Sequence, residues 1–105
     1  MKINGIEYKN VPLDFNAVCK LEDMGVDITN VDEKVMTTAR AYVALCMHKP
    51  VSVAGQEIEK HVMNGGTLNE IYEAFGAEVE KSGFFQALQK QTETPEVEPE
   101  APEKA

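Results

Sequence analysis

Tryptophan is absent, arginine occurs once, at Arg40, and cysteine occurs twice in this 105-residue chain. Each shortage closes off a class of function. Nucleic-acid binding relies on clustered Lys and Arg displacing counterions from phosphates. A chain with one arginine and a net charge of −8 is repelled by such a surface, and by an anionic membrane, so neither is an expected partner. No stretch reaches the ~20 apolar residues needed to cross a bilayer. Met1-Lys2 leads into polar, strand-like sequence rather than into an apolar leader, so the expected location is the cytoplasm. Both thiols, Cys19 and Cys46, are then expected reduced and buried. With four Phe, three Tyr and no Trp, the core must be modest, and five methionines offer soft, adaptable filling.

The acidity is unevenly spread. Residues 1–91 hold nine Lys or Arg against thirteen Asp or Glu, a balance of −4, while residues 92–105 hold one Lys against five Glu, another −4. That last segment also contains three of the five prolines and almost no apolar bulk. Such a composition cannot bury enough surface to offset its ordering entropy. The expected organisation is therefore one helical domain over 1–90 and a disordered Pro/Glu-rich tail over 91–105.

Within the domain, spacing predicts the elements. Asn4-Gly5, flanked by Ile3 and Ile6, favours a type I′ hairpin turn within residues 1–9. After Pro12, Asp14 reads as the N-cap of a helix to about Met24, with Gly25 as its stop. Phe15, Val18, Cys19 and Leu21 make its apolar stripe, with Ala17 beside them. Val26, Ile28 and Val31 of the connector are expected to tuck inward. Thr29 or Asp32 should cap a second helix over roughly 33–48, where Val35, Ala39, Tyr42 and Cys46 form one line and Met36, Val43 and Met47 the next. A third helix spans about 52–64, with Val51, Ile58 and Val62 as its apolar candidates, and ends at Asn64-Gly65-Gly66. Thr67 and Glu70 have the spacing of a capping box for a fourth, carrying Leu68, Ile71, Phe75 and Val79. Ser82-Gly83 interrupts it before a last apolar cluster of Phe84, Phe85 and Leu88. The fold class is thus mainly α (α+β), an N-terminal β-hairpin packed on a small bundle of about four helices. Phe15, Leu21, Val35, Tyr42, Val43, Cys46, Ile71 and Phe75 are its expected core.

A search for chemistry yields no catalytic, cofactor or metal site. The glycine pair at 65–66 has neither a preceding strand nor a following lysine, so it is no phosphate loop. Cys46 and His48 are two apart on a helix and diverge; Glu57 and Glu59, or Glu78 and Glu80, do the same. His48 is expected to cap carbonyls at a helix end and His61 to face solvent. Two features speak for interaction instead. The Phe84, Phe85 and Leu88 cluster either closes the core or forms a docking surface. Met36, Met47 and Met63 read as plain core, with an adaptable groove as the alternative.

The order of elements carries a resemblance. The Lys2–Tyr8 hairpin precedes the run Leu13 to Gly25, with Phe15-Asn16, Leu21-Glu22 and the closing glycine. An Ala-Arg-Ala-Tyr helix at Ala39–Tyr42, a shorter helix, a Gly-Gly break and a late Ser-Gly-Phe-Phe follow. Over residues 1–90 this resembles the short form of the tail assembly chaperones of siphophages and related prophages. One departure is the Val51–Gly55 segment, less acidic at its helix start than that pattern. The resemblance implies a non-enzymatic factor that coats the tape measure protein and helps recruit tail tube subunits, works in the host cytoplasm, and is absent from the finished virion. It brings no cofactor, and it leaves self-association open. The competing expectation from composition is an acidic decoy that mimics DNA to inhibit a nucleic-acid enzyme. Half of the excess charge lies in the tail rather than on the folded surface such mimicry needs.

Overall fold

The computed structural model describes residues 1–28 and 31–93. Strands β1 (Lys2–Ile3) and β2 (Ile6–Glu7) form an antiparallel hairpin in which Ile3 faces Ile6 and Lys2 faces Glu7. Its turn residues Asn4 and Gly5 have φ of 53° and 84°, the left-handed pair that this turn demands and that Asn-Gly supplies at low steric cost. Five helices follow: α1 (Phe15–Asp23), α2 (Val35–Met47), α3 (Val51–Met63), α4 (Asn69–Lys81) and α5 (Gly83–Glu93).

Local chemistry explains most of the boundaries. Asp14 caps α1, its Oδ1 accepting from the Ala17 N–H at 2.8 Å, and Gly25 leaves the helix at φ 100°. At the end of α2 the chain turns left-handed at His48, φ 60°, whose backbone N–H caps the carbonyls of Ala44 and Leu45. The expected cap at His48 thus comes from its backbone. Pro50 then opens α3. The corner between α4 and α5 is held by Ser82, whose hydroxyl donates to the Leu13 carbonyl at 2.6 Å and accepts from the Phe85 N–H at 3.0 Å.

Several expectations fail at helix ends. Asp32 does not cap α2, which starts at Val35 behind Lys34 with no side-chain cap; the other candidate, Thr29, lies outside the described residues. The capping box does not form either. Leu68, packed on the core, already takes a helical conformation and stands as the N-cap residue of α4, so Thr67 Oγ1 accepts from the Asn69 N–H at 3.3 Å. The late apolar cluster is a fifth helix, which runs past the expected end of the domain at residue 90. Residues 91–93 belong to α5, and 94–105, the rest of the expected disordered tail, lie outside the described residues.

Helix α2 is the axis of the bundle, packing against α1, α3 and α4, and nine of its thirteen residues are buried. On one side, Tyr42 and Cys46 meet Val18 and Leu21 of α1, Ala74 of α4 and Phe85 of α5. On the other, Val43 and Met47 meet Ile3 of the hairpin, Ala54 of α3 and Ile71 of α4. Tyr42, Phe75 and Phe85 stack edge-on in sequence, with centroids 5.4 and 6.2 Å apart. The Tyr42 hydroxyl donates to the Val11 carbonyl at 3.1 Å, which lets a phenol sit fully buried. Val26 and Ile28 are buried and Val31 is half-buried on the first cluster, as their sequence suggested.

The expected core is corrected at Phe15, Val35 and Phe75, and the expected burial of a thiol at Cys19. Phe15 is 65% exposed and Cys19 is exposed: at about 100° per residue, the face centred on Ala17, Leu21 and Val18 is the one that packs, and both residues fall on its outer flank beyond Val18. Val35 stands in line with Ala39, Tyr42 and Cys46 but is the first residue of α2 and is 45% exposed. Phe75 is half-buried, at the edge of the first cluster.

Candidate protein-binding site

The short connection through His48, Lys49 and Pro50 sets α2 and α3 side by side in opposite directions, so the first turn of α2 lies near the last turns of α3. Between them runs an open groove of about 450 Å³. Ala39, Gly55, Ile58 and Leu68 form much of its lining, and Met36, Val62 and Met63 stand at its margins. The marginal residues are strongly exposed, Met36 at 66% and Met63 at 77%. The expectation of a methionine core therefore holds for Met47 alone, which is buried in the second cluster. Met36 and Met63 lie at the open end of the helix pair, where both keep most of their surface exposed. Val62, expected on the apolar face of α3, is likewise exposed.

Two charged residues interrupt this apolar lining, Arg40 from α2 and Glu59 from α3. The stem of Arg40 lies across Gly55, its Cδ 3.4 Å from where a Cβ at that glycine would stand. The Tyr72 hydroxyl reaches the Met36 sulfur at 3.9 Å, a weak contact beside the groove.

The second candidate surface is the Phe84, Phe85 and Leu88 cluster, and the structure divides it. Phe85 is fully buried and belongs to the core, because Ser82 caps α5 and turns that position inward. Leu88 is half-buried on the same core. Only Phe84 remains at the surface, 40% exposed, with its ring 5.5 Å from that of Phe15. This aromatic pair is a small patch beside the α4–α5 corner. The sequence reading misses Phe15 as part of it, because the i, i+3 relation of Phe15 to Val18 assigns it to the stripe that packs.

His61 also departs from its sequence-based expectation. Its imidazole packs against Gly66, and its Nδ1 accepts from the Asn4 backbone N–H at 2.9 Å, so it holds the hairpin turn rather than facing solvent. Nε2 is buried with no partner among the described residues. The Asn4 amide donates to Glu57 at 3.1 Å, which lowers that carboxyl below the usual range. Burial pushes the Tyr42 phenol and the Cys46 thiol upward, so neither ionises readily. Among the described residues no group of three or more His, Cys, Asp and Glu is placed to hold a metal. None of their helices is long and apolar enough to cross a membrane.

Comparison of the chain with protein-family models, with curated proteins and with solved structures finds no match.

Proposed function

We propose that this chain is a non-enzymatic assembly chaperone of the kind used by long-tailed bacteriophages. It holds apolar helical segments of the tape measure protein and helps recruit tail tube subunits while the tail is built in the host cytoplasm, and it stays out of the virion. The observation that carries this is the uncovered groove between α2 and α3, flanked by Met36, Val62 and Met63. Grooves of this kind receive amphipathic helices, and methionine's flexible thioether lets one groove accept many apolar sequences. A protein that must coat a long, varied partner has use for that tolerance. The order of elements seen in the sequence supports the same assignment.

The test is co-expression of the chain with the tape measure protein of the same genome. The wild-type chain is expected to keep the tape measure protein soluble and to co-purify with it. The Met36→Asp, Met63→Asp double variant should lose both effects while melting as the wild type does, because both residues are exposed. An insoluble tape measure protein, or undiminished capture by the double variant, would overturn the proposal. Recovery of the chain on a nuclease or polymerase would favour the acidic-decoy alternative.

A further inference from the structure

We infer that the groove selects helices by charge as well as by apolar fit: its occupant is an amphipathic helix bearing a carboxylate beside its apolar stripe, opposite Arg40. This rests on the assignment of the groove as a helix-binding site. Arg40 is the one arginine of the chain. It lies in the wall of the groove, exposed, with its stem laid over Gly55. Among the described residues the ion pairs join Met1 to Glu7, Lys60 to Glu57 and Lys81 to Glu78, and none includes Arg40. Glu59, in the facing wall, makes none either. The groove thus offers one unpaired positive group from α2 and one unpaired negative group from α3 within an otherwise largely apolar lining.

That arrangement suits a helix whose apolar stripe enters the groove and whose flanks carry opposite charges. A guanidinium fixed beside apolar surface is a strong partner for a carboxylate, because it presents planar N–H donors and gives up less hydration than an ammonium. The rest of the described domain is predominantly acidic, so a partner carboxylate is repelled from most of it and favoured here. The chain's own acidic terminus suits the groove poorly. Residues 94–105 carry Glu but offer Val97 as their one large apolar residue, so their sequence has no apolar stripe to enter the groove.

The experiment uses the full chain and two fluorescein-labelled helical peptides. Both carry a Leu stripe at i, i+3, i+4 and i+7. One has Glu along one flank and Lys along the other, and the second replaces each Glu with Gln. Anisotropy titration should show the Glu peptide binding about tenfold more tightly, a gap that narrows with added salt. Arg40→Gln should weaken the Glu peptide to the level of the Gln peptide and leave the thermal melt unchanged. Equal affinity of the two peptides for the wild-type chain overturns charge selection while leaving the groove a helix site. If neither peptide binds at about 1 mM, the groove is not a helix site and both assignments fail. If sedimentation instead reveals a dimer that Met63→Asp dissolves, the groove's occupant is a second copy of the chain and the inference is overturned.

Discussion

Replacing Phe85 and Phe84 separately by alanine puts the packing logic of the α4–α5 corner to a quantitative test. Phe85 is fully buried, packs edge-on to Phe75 at 6.2 Å, and joins a cluster drawn from α1, α2, α4 and the connectors. Removing its ring loses the transfer free energy of the buried atoms and leaves a cavity that so interlocked a site cannot collapse, about 3–5 kcal/mol together. A domain of this size has roughly 5–14 kcal/mol of stability in total, so Phe85→Ala should remove a large part of it and lower Tm by at least about 10 °C. Phe84 keeps 40% of its surface exposed and touches mainly Phe15 at 5.5 Å. Its replacement loses a partly buried ring and one aromatic pair, about 1–2 kcal/mol. Urea unfolding followed by far-UV circular dichroism measures both, with the m-value confirming that the same surface unfolds. If Phe84→Ala costs as much as Phe85→Ala, or Phe85→Ala costs under about 1.5 kcal/mol, the inward turn of α5 at Ser82 is wrong.

Three further outcomes are expected. A thiol reagent should titrate Cys19 in the native protein and Cys46 only on unfolding, since the first is exposed while the second is buried with its thiol pushed upward; rapid native reaction of both would refute that packing. His61→Ala should destabilise the fold by about 1–3 kcal/mol by stranding the Asn4 N–H, and His61→Asn should recover part of the loss through its own acceptor oxygen; equal losses would show that the hydrogen bond to Nδ1 contributes nothing. Burial raises the Tyr42 phenol above its usual range, so the native state holds that proton more tightly than the unfolded chain does. The resulting stability is present in full below the unfolded value of about 10 and declines as pH rises past it, so Tyr42→Phe should flatten the alkaline fall in stability, and an unchanged slope would refute the assignment.

Signals carried by residues close together in the chain are legible from the sequence alone. Asn4-Gly5 specifies its turn by φ, Asp14 caps the N–H three residues on, and Gly25 ends α1, all through contacts within one turn of chain. The long apolar face from Ala39 to Met47 identifies the central helix for a similar reason, since nearly every direction around it meets a neighbour. Shorter helices are less informative. In α1 the apolar residues spread over one wide arc, with Phe15 about 60° from Val18, and periodicity alone merges Phe15 and Cys19 with the part that packs.

What the tertiary structure alone decided is which apolar residues remain uncovered. Met36, Met47 and Met63 have the same side chain, yet Met47 falls between packed elements while the other two fall at the free end of the α2–α3 pair. Phe84 and Phe85 are adjacent in sequence, yet Ser82, bonded to the distant Leu13 carbonyl, fixes which ring points inward. His61 gained its role from an N–H fifty-seven residues away. Composition and spacing established a small acidic helical domain on the physics of single elements. The groove between Arg40 and Glu59 exists only because two helices that each conceal little by themselves are set side by side, and no periodicity within either one records that pairing.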